Sequence, residues 1–476
     1  MSNTFNKLAI KAGLFYIISE LFVRGITFIT TPIYTRLLTT AQYGEVRVYE
    51  SWLLIAAPVM SLCLWKSTER SKYDVGDKYH EFVGSVQTLS YLAILGFFAL
   101  CMVFKSQVQA FCHMTDLMFY IAFAHILTYT AMQYMQRREK QMLRYKVSTL
   151  ITMLTMVPAT VISIALLYVA KNAGHYDSLV ELRIAGFYIP QIIGGAIVAV
   201  IMWVQGKKLI NVEYWKYALN YSVPLITEAI SVQIMNQADK IMIQFLVGNK
   251  FTGIFALGTT VSYIIWILED SVWNAWLPWM YTKISENQEK EIEKPWTLLM
   301  HVFGWISWYL VVFAPEIVYV LGGEQYREAI YLIAPMVTGV LYRFYTFGYT
   351  AISNYYKKTN YVAVGTVISM IVNVILNYVC IVTFGYQAAA YTTAVSYFIL
   401  LLVQGYLEWK ISGRRLISLK KTILLSVGYL VLNIMTMFLF SGAWYIRYAV
   451  ILVVTVVLAK WMLPKLLEIV KVLKKK

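Results

Sequence analysis

Apolar runs long enough to form membrane-spanning helices recur along nearly the whole chain, and this recurrence limits the fold more than any other feature. They fall at residues 8–37, 44–67, 82–104, 117–136, 147–170, 184–205, 218–247, 251–281, 296–321, 328–355, 361–384, 388–409, 422–440 and 444–463. One transmembrane helix takes about 20 residues, so fourteen take about 280. That is most of the hydrophobic 59% of a 476-residue chain. Only 14% of residues are charged, against about 25% in soluble domains. A soluble enzyme with a membrane anchor is thereby excluded. An outer-membrane barrel is excluded too, because its strands are short and alternate in polarity. The expected fold is an all-α polytopic membrane protein of about fourteen transmembrane helices. Several runs exceed twenty residues, which implies tilt or kinks. Pro32, Pro158, Pro190, Pro224, Pro278 and Pro335 lie within or at the ends of runs, where neighbouring helices can re-satisfy freed backbone groups. The first run is too long and too polar for the apolar core of a cleaved signal peptide, and reads as a mature helix.

Orientation follows from the basic residues, which collect in cytoplasmic loops. With both termini inside, the internal segments hold 27 Lys and Arg and the external loops hold six: Lys105, Lys171, Arg183, Lys250, Arg327 and Arg447. The asymmetry supports the span count, since a missed span would invert the alternation downstream. It also accounts for most of the +16 net charge through contact with the anionic cytoplasmic leaflet, so nucleic acid is not an expected partner. No loop exceeds about fifteen residues, too few for a nucleotide-binding module. Four cysteines without a CxxC spacing suggest neither a disulfide framework nor a zinc site.

Eight basic residues remain in or beside spans: Lys11, Arg24, Arg36, Arg47, Lys66, Lys240, Arg343 and Lys460. They are joined by Glu20, Glu50, Glu228, Asp239, Glu269 and Asp270. A charge at the bilayer centre costs at least ~2.5–3.5 kcal/mol, so it normally faces a wet cavity or a partner. These charges concentrate in the first, second, seventh, eighth and tenth spans. At a rise of about 1.5 Å per residue, Arg24 lies about 18 Å into the first span and Arg343 about 22 Å into the tenth. Lys11, Arg36, Lys66 and Lys460 lie near interfaces, where snorkelling accounts for them. Glu20–Arg24 (i,i+4) and Arg47–Glu50 (i,i+3) are also explicable as self-satisfied pairs. Arg343 has no acid within a turn of its own helix, which favours a cavity role. Asp239–Lys240, at a helix end, reads as structural.

A weak parallel repeat divides the chain. Leu37-Leu38-Thr39-Thr40-Ala41-Gln42-Tyr43-Gly44 parallels Leu246-Val247-Gly248-Asn249-Lys250-Phe251-Thr252-Gly253, with the two glycines offset by 209 residues. Six spans per repeat give two lobes related by an axis along the membrane normal, with binding expected between them. The expected units are an N-lobe over 1–214, a C-lobe over 215–410, and two further helices with a basic cytoplasmic tail over 411–476.

At these residues the chain resembles bacterial polysaccharide-biosynthesis flippases of the multidrug/oligosaccharidyl-lipid/polysaccharide exporter superfamily. The resemblance is carried by Pro32-Ile-Tyr-Thr-Arg-Leu-Leu-Thr-Thr-Ala-Gln-Tyr-Gly44, by Asn236-Gln-Ala-Asp239-Lys240 with Gly248 and Thr252-Gly253-Ile-Phe-Ala-Leu, and by Phe384-Gly385-Tyr-Gln-Ala388-Ala-Ala390. It implies a V-shaped central cavity lined by helices 1, 2, 7 and 8, with a lipid groove near the last two helices. The implied activity is movement of an undecaprenyl-diphosphate-linked oligosaccharide from the inner to the outer leaflet of a bacterial cell membrane. The product would serve O-antigen, capsule or exopolysaccharide assembly, with a polysaccharide polymerase and a chain-length regulator as expected partners.

A diphosphate crossing hydrocarbon needs compensating cations, and arginine offers a bidentate fork. Arg24, Arg47 and Arg343 are therefore the expected substrate-binding cations. Glu20, Glu50, Glu228, Glu269 and Asp270 would hold those arginines or bind a coupling H⁺ or Na⁺. No catalytic residue, resident metal or cofactor is expected. A cation-coupled multidrug antiporter of the same superfamily would favour cavity acids over arginines. A polymerase or ligase would need a sizeable external loop with catalytic Arg or His, and a non-transporting scaffold leaves the deep arginines unexplained.

Overall fold

The computed structural model describes residues 25–474 apart from 414, 441 and 443, and the side chains among them except those of residues 145, 275 and 461–474. Lys11, Glu20 and Arg24 lie outside the described residues. Among the described residues all regular structure is helical. The first lobe contains α1 (25–37), α2 (Thr40–Met60), α3 (Thr68–Val75), α4 (Tyr79–Val103), α5 (Lys105–Cys112), α6 (Asp116–Gln141), α7 (Tyr145–Asn172) and α8 (Leu179–Gly206). The second contains α9 (Val212–Leu246), α10 (Asn249–Ser285), α11 (Glu293–Val312), α12 (Ala314–Gly322), α13 (Ile330–Tyr355), α14 (Thr359–Phe384) and α15 (Ala388–Ser412). Helices α16 (Leu419–Met437) and α17 (Trp444–Lys474) follow.

A long helix occupies every expected span from the second onward. Nine segments among the described residues are long and apolar enough to cross a membrane, ten if the pair α5–α6, bent by 94°, counts as one span. Fourteen is therefore not reached by that criterion. Helices α2 and α9 fall short of it: α2 carries Glu45, Arg47 and Glu50, and α9 adds Asn220, Gln233, Asn236 and Gln237 to Glu228, Asp239 and Lys240.

Two expected spans are interrupted. The second helix ends at Met60 rather than running to residue 67. Leu62 and Cys63 adopt left-handed backbone angles (φ 53° and 51°), and a 3₁₀ turn over Leu64–Ser67 follows. The ninth span breaks at Phe313, between α11 and α12, where Pro315 in the first turn of α12 needs no backbone donor.

In the first lobe α4, α6 and α7 pack around α8; in the second α13 packs against α10, α11, α15 and α16, and α14 against α9 and α15. Enclosure on so many sides makes α13 almost wholly buried. The lobes join where α2 crosses α10 and α9. Thr39 caps α2 by accepting from the Gln42 N–H, and the Gln42 side chain accepts from the Thr39 N–H. That capping box starts α2 so that Gly44 meets the first turn of α10. A Cβ on Gly44 would lie 2.1 Å from the Asn249 carbonyl oxygen, and a Cβ on Gly253 would lie 2.0 Å from the Thr40 carbonyl oxygen. The two glycines paired by the sequence repeat thus face one another across the lobe junction, backbone against backbone.

Candidate functional site

The signature residues build the junction. Thr35 Oγ1 donates to the Leu321 carbonyl at 2.5 Å, Arg36 donates to the Val320 carbonyl at 3.2 Å, and Gln325 Nε2 donates to the Thr35 carbonyl at 2.7 Å. Tyr43 meets Tyr326 edge-on, with ring centroids 6.0 Å apart. The third signature adds Tyr386, which packs on Phe251 and donates to Glu328 at 2.6 Å. Arg36 is therefore a junction residue as well as an interfacial one.

The expected site residues divide into separate groups. On α2, Arg47 Nη1 donates to Glu50 at 2.8 Å and Nη2 to the Tyr43 hydroxyl at 2.6 Å. The other Glu50 oxygen accepts from Arg183 Nη2 of α8 at 2.9 Å. The Arg183 guanidinium also stacks on Tyr34 and Phe187, 4.9 and 4.4 Å from their ring centroids. Sequence reading placed Arg183 in an external loop. It lies inside α8 and is buried, because the helix starts at Leu179. Leu179, Val180, Arg183 and Ile184 are all buried and share one helical face, and that face was the missed signal. One carboxylate thus holds two guanidiniums.

The second group joins α10 and α13. Arg343 Nη1 donates to Glu269 at 2.7 Å and Nη2 to Asp270 at 3.4 Å. Its guanidinium lies 3.5 Å from the Trp266 ring centroid and 4.8 Å from that of Phe347. Arg343 lacks an acid on its own helix but has two on the neighbouring one. Glu50, Glu269 and Asp270 hold arginines, the first of the two roles the sequence allowed them.

A third group is polar. Asp239 accepts from Asn377 Nδ2 at 2.5 Å and from Thr393 Oγ1 at 2.8 Å. Asn377 bonds in turn to Asn373 and Thr392. These residues come from α9, α14 and α15, so only the tertiary fold assembles them. Next to Asp239, Lys240 donates to Gln237 at 2.9 Å, and Ser51 of α2 lies 3.0 Å from the same amide oxygen, linking the lobes.

Glu228 joins none of these groups. It lines a cavity of about 280 Å³ between α9 and the first lobe, together with Lys66 and Arg137. Among the described residues no group of three or more His, Cys, Asp and Glu side chains could hold a metal ion.

The fold is two helical lobes that meet along α2 and α9, with charge buried inside their helices. The Lipid II flippase MurJ in an inward closed conformation superposes with a TM-score of 0.69 at 15% identity, covering 95% of this chain and 99% of that one. An inward-facing multidrug resistance MATE family transporter of the MOP superfamily gives 0.55 at 13% identity, over 86% and 96%. A MOP superfamily transporter from Pyrococcus furiosus gives 0.56 at 12% identity, over 86% and 96%. These are transporters and a flippase, not enzymes. Residues 9–284, more than half of the chain, match the polysaccharide biosynthesis protein family, and the chain belongs to that family. The Lsg locus putative protein 1 of Haemophilus influenzae is 22% identical over 384 residues, 76% of this chain and 89% of its own length.

Proposed function

We propose that the protein is a flippase that carries an undecaprenyl-diphosphate-linked oligosaccharide from the cytoplasmic to the outer leaflet of a bacterial inner membrane, for surface polysaccharide assembly. The observation that carries this reading is the Arg47–Glu50–Arg183 cluster, which places surplus positive charge inside the span region beside the lobe interface. An anionic head group crossing there meets compensating guanidiniums. Arg24, outside the described residues, is assigned to the same task from its depth in the first span. Arg343, held by two acids, serves the lobe's own packing at least as much as it serves the substrate. Alternating access is assigned to rocking of one lobe against the other about the glycine junction, the general scheme for transporters built from repeats. The lysine-rich segments face the cytoplasm in this scheme.

Coupling to H⁺ or Na⁺ is assigned to Asp239. Its carboxylate is buried among amides and hydroxyls rather than held by an arginine, and oxygen ligands suit a hard cation. Asp239→Asn should abolish any dependence of transport on that ion.

The test is deletion in the native host, with complementation by wild type and by Arg47→Ala and Arg24→Ala. Surface polysaccharide should vanish on deletion, with lipid-linked oligosaccharide accumulating on the cytoplasmic face. Wild type should restore it; the two variants, at equal protein level, should not. Normal surface polysaccharide in the deletion strain sinks the reading. Altered drug susceptibility instead would favour the multidrug antiporter.

A further inference from the structure

The break in α2 follows Pro58, which lies in the last turn of the helix. Two consecutive residues that are not glycine, Leu62 and Cys63, take left-handed angles, a conformation costly for any side chain with a Cβ and characteristic of functional sites. Its effect is positional. The 3₁₀ turn over Leu64–Ser67 places Trp65 and Lys66 on the wall of the cavity, with Tyr129 and Arg137 of α6 beside them and Glu228 and Gln233 of α9 on the opposite lobe.

This wall differs from the deep clusters in how its cations are committed. Arg47, Arg183 and Arg343 are each bonded to a carboxylate. Lys66 has no ion pair among the described residues. Arg137 donates to the Gln133 amide oxygen at 2.5 Å and lies 3.3 Å from Glu69, whose side chain is half exposed to solvent, so that pairing is screened. The Arg137 guanidinium stands 5.8 Å from the Trp65 ring centroid. Two available cations, two aromatic faces, an amide and a carboxylate converge on one chamber shared by both lobes. Cations suit phosphate oxygens, aromatic faces suit the apolar face of a sugar ring, and a carboxylate with an amide suits sugar hydroxyls.

We propose that this cavity docks a glycosyl diphosphate, the diphosphate and first sugar of the lipid-linked substrate, before it passes to the deeper arginines. Lys66 and Arg137 take the diphosphate, Trp65 and Tyr129 flank the sugar, and Glu228 and Gln233 bind its hydroxyls from the opposite lobe. The assignment rests on the flippase reading for the lipid; the glycosyl diphosphate chemistry belongs to the cavity itself, and a nucleotide sugar carries the same group.

The test is equilibrium binding to the full-length protein in lipid nanodiscs. Three probes are used: undecaprenyl diphosphate, the same lipid bearing one N-acetylhexosamine, and a uridine diphosphate N-acetylhexosamine. Lys66→Ala and Arg137→Gln should each weaken both lipid probes by about tenfold or more, the scale of one lost charge-assisted bond, and Lys66→Arg should restore most of the loss. Glu228→Gln removes a negative charge while losing a sugar contact, so it should tighten the bare diphosphate and weaken the preference for the glycosylated one. Lys66→Ala and Arg137→Gln proteins that melt like wild type and bind both lipids within about twofold of it overturn the site. So does wild type that binds none of the probes. Binding of the nucleotide sugar as tight as that of the glycosylated lipid, with the same loss in Lys66→Ala, overturns the assignment to lipid. No translocation enters this measurement, so failure of the flippase reading shows separately, in the deletion strain.

Discussion

Each lobe buries a guanidinium network, and the two are balanced in opposite directions. In the first, Arg47 and Arg183 share the single carboxylate of Glu50; in the second, Arg343 is shared by Glu269 and Asp270. Among the described residues, the first sets two guanidiniums against one carboxylate and the second sets one guanidinium against two carboxylates. The same residue type therefore has different consequences on the two sides. In the proposed function an anion is drawn to Arg47 and Arg183, whereas Arg343 is held by its own acids. Sequence reading favoured Arg343 for a cavity role because no acid lies within a turn of it on its own helix; its two acids come from the neighbouring helix.

The difference can be broken most severely at its least redundant member. Removing Glu50 leaves two buried arginines facing each other. Glu50→Ala should cost about 3–5 kcal/mol, the scale of a buried pair losing one partner, read as a fall in thermal unfolding temperature in detergent. Next is transport. Arg47→Gln should lower it about tenfold or more, one charge-assisted phosphate bond, while Arg343→Gln at equal protein level should change it less than about threefold; equal losses would erase the distinction between the lobes. Glu269→Ala should be milder than Glu50→Ala, about 2 kcal/mol, because Asp270 still faces Arg343. A melting shift as large as that of Glu50→Ala would mean Asp270 offers no reserve. The smallest effect is expected for Trp266→Leu, which removes the ring under Arg343 and should cost about 1 kcal/mol in the same unfolding measurement.

Much of the fold was legible because the bilayer demands long apolar helices, and runs of that kind need no tertiary information to find. The glycine repeat was legible as well, though its reason was not. Gly44 and Gly253 match because they occupy equivalent places in two lobes that touch there. What escaped had one of two causes. Arg343 with Glu269, and Asp239 with Asn377 and Thr393, are brought together across more than seventy residues by helix packing, which a single sequence does not encode locally. The turn after Met60 follows Pro58, a breaker that the sequence reading did not weigh, and its left-handed residues are a leucine and a cysteine. Lys66 was read as snorkelling for that reason, since on a continuous helix it would sit at an interface with nothing to line.

The junction at Gly44 and Gly253 contains no side chain at its centre. A gate made of side chains can be worked by rotamer changes, which occur in picoseconds to nanoseconds, and so can flicker ajar. A seam of main chain against main chain offers no such partial motion. It parts only when whole helices separate, on the microsecond-to-millisecond scale of domain motion. Insulation on that side is thus tied to the global state of the lobes rather than to the chemistry of the cargo. In the proposed flippase such a seam would be indifferent to which sugars pass, and would leave the reading of the glycan to residues elsewhere in the molecule.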